Sequence, residues 1–458
     1  MEPPSVTKRK TVTEPINDRI KHDKQGRTPN KRRREMLLGL GFWIQGFRCF
    51  PWMAVIFFLK DGLRVDPSTL QILLNSANLP MVAKPFYGLV SDSFYFFGQH
   101  RIPYIAGGAL LQALSWFAIA SSPSSTISFF TITIYLLLGN LGAAIVEVAN
   151  DAVVAECAKQ PTTNNNSADL QSFAWVAAAI GGISGNLLGG LSVDRFSPRA
   201  MFLFFGILLI LQFFITVSVS EKSLDLPKNH SKHDIKSQFS ELLLVLTRPE
   251  IYQPIIWFSV SFAVIPALTG SMFYYQTQHL NIESSVLGIS KVFGQITMLL
   301  WGVVYKRHLK SLPPRTLITS IQGTMACLMV SDALFVNGFY RSLGIPDSLY
   351  VVVVSGFLEV VYYFKILPFS ILMAKLCPPG CEGSLMAFVM STIALAFIVS
   401  GYIGVTLASW VVTESDVSGL RNALVIQAVC TIVPLLWSSY IPHSPRPEAE
   451  AKGQKKQE

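Results

Sequence analysis

Charged side chains are scarce in this sequence. Only 14% of its 458 residues are Asp, Glu, Lys or Arg, whereas 51% are hydrophobic and the mean hydropathy is +0.43. Soluble domains of ordinary composition carry about 25% charged residues. The shortage of charge therefore excludes an ordinary soluble protein and indicates a chain that lies in lipid.

Cysteine and histidine are also sparse and are not clustered. The six cysteines lack the spacing of a zinc site or of a secreted disulfide framework, and the nearest pair, Cys377 and Cys381, is separated by Pro-Pro-Gly. None of the seven histidines lies well inside a hydrophobic segment. We therefore expect no metal, no cofactor and no enzymatic site.

Hydrophobic segments of membrane-spanning length recur along most of the chain. About twenty apolar residues cross roughly 30 Å of hydrocarbon as a helix. Residues 200–218 are apolar on every face, which excludes the alternating strands of a membrane barrel. We predict an all-α membrane protein with about twelve transmembrane helices. Their predicted ranges are 36–59, 68–90, 102–121, 127–155, 168–191, 199–219, 252–275, 284–305, 315–336, 348–375, 384–411 and 420–440.

A polar stretch at 221–250 divides these helices six and six. Its second half, with Phe239 and four nearby leucines, predicts an amphipathic helix on the membrane surface. The segments Gly88–Asp92 and Gly302–Arg307 follow the second helix of each half, so the halves resemble an internal repeat. This 6+6 plan is that of a major-facilitator transporter. The predicted domains are a basic N-tail at 1–35, a six-helix bundle at 36–219, a linker at 220–251, a second six-helix bundle at 252–440 and a polar C-tail at 441–458.

The net charge of +9 is unevenly distributed. Twelve crossings place both termini on one side, where tails and loops hold 27 Lys and Arg residues against six on the other side. Much of the excess lies in the first 35 residues, beside a membrane segment, and indicates contact with anionic lipid rather than nucleic acid. We expect cytosolic termini, or stromal ones in a plastid, with the plasma membrane, a plastid and another organelle all open as the resident membrane.

Ionisable residues inside the predicted helices are the first candidates for function, because each costs several kcal/mol unless it is paired or faces water. Spans one, four, seven and ten line the central cavity of a major-facilitator fold, and several of these residues lie on them. A receptor or scaffold without transport is the alternative, and this concentration of charge argues against it. The residues are Arg48, Lys84, Glu147, Asp151, Lys291, Asp332, Glu359 and Lys365.

Span four carries the densest polar group. Glu147 and Asp151 lie one helical turn apart on one face, with Asn150 beside them. Two carboxylates that close do not both ionise easily, which suits a proton-coupling site. The structural alternative is an ion pair between Glu147 and Arg48 that joins spans one and four. The guanidinium of Arg48 would also suit a carboxylate of the solute.

Aromatic residues accompany the charges of spans seven and ten. Tyr362 and Tyr363 lie between Glu359 and Lys365. These two charged residues are six positions apart and project from different faces of the helix, so we do not expect them to pair. Span seven ends in Tyr274 and Tyr275. These rings could stack on a flat heterocycle, or they could form an interfacial belt or pack between helices.

The end of span two and span five carry further polar and small residues. Lys84 can extend to the lipid headgroups, which is the reading we favour, while Asp92 and Arg101 suit a gating contact between helices. Five glycines of span five predict close helix packing; they are Gly181, Gly182, Gly185, Gly189 and Gly190.

Four motifs together resemble the folate-biopterin transporter family of the major-facilitator superfamily, with a plant-type member as the most similar kind. They run across both halves, and the Cys-Pro-Pro-Gly-x-Glu-Gly motif before span eleven is the most specific. The motifs are Lys84-Pro-Phe-Tyr-Gly88 with Ser91-Asp92, the segment Asp151 to Glu156, Leu170-Gln171-Ser172 with Trp175, and Cys377-Pro378-Pro379-Gly380 with Glu382-Gly383.

This resemblance implies a symporter that moves folates or related pterins together with protons. It assigns the acidic position of span four to Asp151 and the loop signature to Lys84, Asp92, Pro378, Gly380 and Glu382. The sequence departs from the family in having Glu147 where a second aspartate is common. A carrier for another organic anion or metabolite is the alternative within transport.

Overall fold

In the residues that it describes, the computed structural model is almost entirely helical, with one isolated bridge between Phe96 and Gln99. Among the predicted features, most of both tails, part of the linker, and the loop residues Pro378 and Gly380 lie outside the described residues. The residues described are 29–96, 98–123, 127–158, 167–221, 235–309, 311–377, 382–411 and 417–442.

The first half of the chain, residues 29–221, forms eight α-helices. Several begin at a proline, whose fixed φ suits the first helical turn, and the side chain of Asp66 caps one by accepting the N–H of Thr69 at 3.0 Å. The helices are α1 Pro29–Phe47, α2 Cys49–Phe57, α3 Pro67–Ala77, α4 Lys84–Ser93, α5 Ile102–Ser121, α6 Phe129–Ala158, α7 Ser167–Val193 and α8 Pro198–Val217.

The second half, residues 235–442, is also helical, but several of its helices are short. Single π-helical turns join or extend several helices, as at Val351–Ser355 before α16. The helices are α9 Ile235–Leu246, α10 Pro249–Ala263, α11 Thr269–Tyr274, α12 Ser284–Val304, α13 Pro314–Val336, α14 Phe339–Ser342, α15 Asp347–Tyr350, α16 Gly356–Phe364, α17 Ile366–Leu376, α18 Glu382–Val411 and α19 Val417–Ile432.

Ten helices within the described ranges are long and apolar enough to cross a membrane, so the protein is a multi-pass membrane protein. Ten of the predicted spans correspond to them. The other two, at 68–90 and 252–275, are interrupted: 3₁₀ turns at Leu79–Ala83 separate α3 from α4, and Val264 to Leu268 separate α10 from α11. The predicted linker helix is present as α9.

Side chains from other helices satisfy the backbone at both interruptions. The Nδ2 of Asn140 donates to the carbonyl of Ala77 at 2.6 Å, at the end of α3. Between α10 and α11, the carbonyl of Ala267 accepts from Gln71 at 2.5 Å, and its N–H donates to the carbonyl of Ser400 at 3.1 Å. Unpaired backbone groups are costly away from water, so these contacts permit broken helices inside the bundle.

The glycines of α7 place three helices in close contact, as predicted. A Cβ added to Gly181 would lie 2.1 Å from the carbonyl oxygen of Trp43 in α1, and one on Gly190 would lie 2.8 Å from Gly288 in α12. The second contact joins the two halves. The α7–α12 contact and the contacts of α3 and α4 with α18 form the main interface between the halves.

Two ends of the bundle can be distinguished. We call the end with Asp92, Arg101 and Glu221 the linker face, because the segment between the halves begins there. The end with residues 62–66, 194–197 and 280–283 is the opposite face.

We predict that Gly181→Ala lowers the free energy of unfolding by about 1–3 kcal/mol, because its methyl group would force α7 away from α1. The measurement is the melting temperature of the purified protein in detergent. Gly302→Ala in α12 is the matched control, since a Cβ there meets nothing within 4 Å. Equal melting temperatures for the two variants would contradict the close packing.

Candidate functional site

One carboxylate in α6 joins three helices. The Oε1 of Glu147 accepts from Nη1 of Arg48 at 2.7 Å, and its Oε2 accepts from Nζ of Lys84 at 2.5 Å. The three side chains are 10%, 16% and 30% exposed respectively. The predicted ion pair between Arg48 and Glu147 is therefore present. Lys84 extends it to a triad of Arg48, Lys84 and Glu147. The preferred reading of Lys84 as extending to the headgroups was wrong, because Glu147 offers a partner inside the bundle.

Asn140, two turns before Glu147 on α6, extends this cluster. Its Oδ1 accepts from Nη2 of Arg48 at 2.7 Å, while its Nδ2 donates to Ala77 at the break after α3. Each of the two Nη groups of Arg48 thus donates to one acceptor. Because Asn140 also bonds to Ala77, the position of the guanidinium is linked to the break between α3 and α4. The sequence reading missed Asn140; its spacing of seven from Glu147, on one helix face, was the available signal.

Asp151 and Asn150 differ in their surroundings. The side chain of Asp151 is exposed and lies near Glu147 and Lys84. Asn150 is 1% exposed and packs against Gly41 of α1, and neither atom of its amide has a hydrogen-bond partner among the described residues. The polar face of α6 therefore carries three different groups: the paired carboxylate of Glu147, the accessible carboxylate of Asp151 and the unsatisfied amide of Asn150.

A second ion pair lies in the other half. The Nζ of Lys291 in α12 donates to Oε1 of Glu359 in α16 at 2.8 Å. Tyr363, one turn after Glu359, is 42% exposed and lies near both charges. Lys291 was recognised as an ionisable residue within a span but was not included in the predicted site.

Lys365 and Tyr362 are separated from this pair. Lys365 is fully buried, and its Nζ donates to Oγ of Ser261 at 2.9 Å and to Oε1 of Gln322 at 2.7 Å. Its ammonium lies 3.7 Å from the ring centroid of Phe262. Tyr362 packs with apolar residues of the second half. As predicted, Lys365 does not pair with Glu359, but it lies between α10 and α13 rather than beside that pair.

Tyr274 and Tyr275 lie at the opposite face, away from the ion pairs. The hydroxyl of Tyr274 donates to the carbonyl of Val65, and that of Tyr275 accepts from Nη2 of Arg341 at 2.9 Å. Of the two alternatives for these rings, stacking on a solute beside Tyr363 is not supported for Tyr274 and Tyr275, because both lie at the end of their span and bond to Val65 and Arg341 there.

The two halves close on each other at the opposite face. Phe57 and Phe273 form an edge-to-face pair with 5.3 Å between ring centroids. Gln71, which is 5% exposed, donates to the carbonyls of Ala267 and Gly401 and accepts the N–H of Gly270 at 2.8 Å. All these contacts join the first half to the second. Outside them lies a surface cavity of about 690 Å³ whose lining includes Lys60, Asp61, Asp194 and Glu283.

Comparison with known proteins identifies the family from most of the chain. The model of the BT1 family matches residues 45–458. The chain belongs to the BT1 family. The resemblance inferred from the motifs is thereby confirmed.

The relatives of this BT1 chain are named as transporters. A protein of Arabidopsis thaliana named "Probable folate-biopterin transporter 7" is 60% identical over 422 residues, which cover 92% of this chain and 95% of the relative. A Synechocystis sp. protein named "Folate-biopterin transporter" is 29% identical, with 88% and 80% of the two chains covered. The family is thus one of transporters rather than enzymes.

Solved transporters share the fold of the BT1 chain. The nucleoside transporter NupG superposes with a TM-score of 0.69 at 14% identity, over 90% of this chain and 99% of its own. A D-xylose-proton symporter gives 0.67 at 16% identity, over 90% and 98%. This likeness shows the architecture alone, and it agrees with the predicted transporter fold.

The loop motif of the BT1 chain forms a compact network at the linker face. Arg101 is 5% exposed and donates to Oδ1 of Asp92 at 2.5 Å, to Oε1 of Glu156 at 2.6 Å and to Oγ of Ser91 at 2.6 Å. The carboxylate of Glu221 accepts the N–H of Ile102 at 3.0 Å. One buried guanidinium therefore joins the ends of α4, α5 and α6.

The remaining motif residues are placed only in part. Gly88 faces α6, since an added Cβ would lie 3.7 Å from Val148. Pro378 and Gly380 lie outside the described residues, and Glu382 is described only as the first residue of α18. No group of three metal-ligating residues occurs in the described ranges.

We predict that Glu147→Gln lowers the free energy of unfolding by about 3 kcal/mol, because two cations inside the bundle lose their shared counter-charge. The check is thermal unfolding of the purified protein at low ionic strength. Glu250→Gln, at the exposed start of α10, provides the control for loss of one acidic charge. An unchanged melting temperature for Glu147→Gln would show that the triad does not hold the helices together.

Proposed function

We propose that this protein is a proton-coupled symporter that moves folates or related pterins across its membrane. The observation that carries the proposal is the sharing of Glu147 between Arg48 and Lys84, one turn from the exposed carboxylate of Asp151. The names of the folate-biopterin relatives supply the solute class.

The charges of this cluster suggest how a proton and an anion are coupled. Two cations face one paired carboxylate, so the cluster carries an excess positive charge when Asp151 is protonated and none when Asp151 is ionised. An anionic solute therefore binds best together with a proton. By linkage, the solute also strengthens binding of the proton to the same degree.

Both halves offer matching groups for the rest of the solute. A folate combines a flat pterin ring with carboxylates at the far end. In the second half, the accessible ring of Tyr363 can stack on the pterin. In the first half, Arg48 has N–H groups beyond the two that Glu147 and Asn140 accept, and it is the candidate for a carboxylate or for a polar edge of the ring.

The arrangement of helices supports alternating access in a 6+6 major-facilitator bundle. Counting the interrupted pairs α3–α4 and α10–α11 as one span each gives twelve crossings, with domains at 36–219 and 252–440. The closed opposite face is then the outer side, and the Asp92–Arg101–Glu156 network is a gating contact on the inner side. The predicted cytosolic or stromal termini complete this topology.

We expect proteoliposomes containing the purified protein to accumulate labelled folate when an inward proton gradient is imposed. Asp151→Asn should abolish gradient-driven accumulation, because the amide cannot release a proton, and should retain exchange of labelled for unlabelled folate. Asp347→Asn, which removes a surface partner of Arg341, is the matched control and should behave as the wild type.

Two results would count against the proposal in different ways. Folded wild-type protein that takes up no folate or pterin removes this solute class and leaves a carrier for another organic anion. Gradient-driven uptake that survives in Asp151→Asn places the coupling proton elsewhere.

The topology has its own test. In a background without native cysteines, we expect Ser342→Cys to react with an impermeant maleimide in sealed cells carrying the protein at the plasma membrane. Ser311→Cys, in the loop before α13, should react only after permeabilisation. The reverse pattern would invert the proposed orientation.

A further inference from the structure

The two interior ion pairs differ in how firmly each cation is held. Arg48 donates to both Glu147 and Asn140 and is 16% exposed, whereas Lys291 donates to Glu359 at 2.8 Å and is 33% exposed. The carboxylate of Glu359 is 53% exposed. An ion pair with this much exposure is held less firmly than a buried one. Another carboxylate can therefore take the place of Glu359 beside Lys291.

Lys291 lies at the meeting point of the two halves. One turn before it, Gly288 contacts Gly190 of α7; one turn after it, the side chain of Gln295 faces Gly182 of α7. These contacts fix the side of α12 that faces the first half, at the level of Lys291.

Cys49 of α2 shows that Lys291 also lies close to a second helix of the first half. It follows Arg48 directly in the chain, contacts the side chain of Asn186 in α7, and lies near both Lys291 and Glu359. The cation of the first half, Arg48, and the cation of the second half, Lys291, thus both lie near Cys49, and Tyr363 lies near Lys291.

We propose that Lys291 binds a carboxylate of the transported solute, which takes the place of Glu359. The ligand class is a heterocycle with a carboxylate-bearing tail, so the inference rests on the proposed function and specifies which part of the molecule is recognised. No covalent step is involved; the ammonium exchanges one carboxylate partner for another. Glu359 is then a competitor that keeps Lys291 paired while the site is empty.

This exchange makes Lys291 a determinant of selectivity between two kinds of pterin. Folate carries carboxylates, whereas biopterin carries none. Loss of the ammonium therefore weakens binding of folate and leaves binding of biopterin, which depends on the ring. Loss of the Glu359 charge removes the competitor and strengthens binding of folate.

The test is equilibrium binding of labelled folate and labelled biopterin to purified protein in detergent, with unfolding temperatures recorded for every variant. Lys291→Gln should weaken folate binding about tenfold or more, the scale of one charged hydrogen bond, and change biopterin binding by less than about twofold. Glu359→Gln should tighten folate binding. Lys306→Gln removes the same charge from an exposed position just after α12 and should alter neither ligand.

The outcomes separate this inference from the proposed function. Folded Lys291→Gln that binds folate normally, or loses both ligands equally, overturns the assignment of Lys291 and leaves the solute class intact. Wild-type protein that binds biopterin but not folate overturns this inference alone. Wild-type protein that binds neither ligand overturns the proposed solute class and this inference with it.

Discussion

The sharing of one carboxylate between two cations is the interaction on which the interior of this protein depends. A charge at the depth of the bilayer is costly unless it faces a water-filled cavity or finds a counter-charge within the chain. Glu147 pairs with Arg48, between α1 and α2, and with Lys84 of α4. Asn140 accepts from the same guanidinium and donates to the carbonyl of Ala77 at the end of α3. The positions of three helices and of the polar face of α6 follow from these few bonds.

The same constraint explains why broken helices are tolerated at depth. Each interruption exposes carbonyl and amide groups that a continuous helix would satisfy. Here the missing partners are side chains from other spans: Asn140 at one break, and at the other Gln71 together with Ser400, whose hydroxyl donates to the carbonyl of Ile265 at 2.5 Å. Polar residues that look out of place in apolar segments therefore complete the backbone of a neighbouring helix.

Much of the architecture could be predicted from the sequence because the length of an apolar segment and the spacing of small residues are local properties. Ten spans appear near their predicted ranges, the glycines of α7 pack as expected, and the Arg48–Glu147 pair is present. The breaks at Leu79–Ala83 and after Ala263 were missed, because broken and continuous helices have the same hydropathy. Pro80 and Pro266 were the available signals.

The partners of the charged side chains were harder to predict than the positions of the spans. Lys84 was expected to extend to the headgroups, whereas it pairs with Glu147, 63 residues away on another helix. The spacing of Lys365 and Glu359 indicated that they do not pair, but it could not name the partners of Lys365, which are Ser261 of α10 and Gln322 of α13. Lys291 pairs across helices with Glu359, a contact 68 residues apart that no local pattern encodes.

The amide of Gln71 has a consequence for the separation of the two halves. Its three hydrogen bonds reach α18, α11 and the segment between α10 and α11, and all three cross from one half to the other. A single planar group cannot release them one at a time without leaving buried polar atoms unsatisfied. Any separation of the halves at that end must therefore break all three hydrogen bonds of Gln71 together, or leave buried polar atoms of both halves without partners.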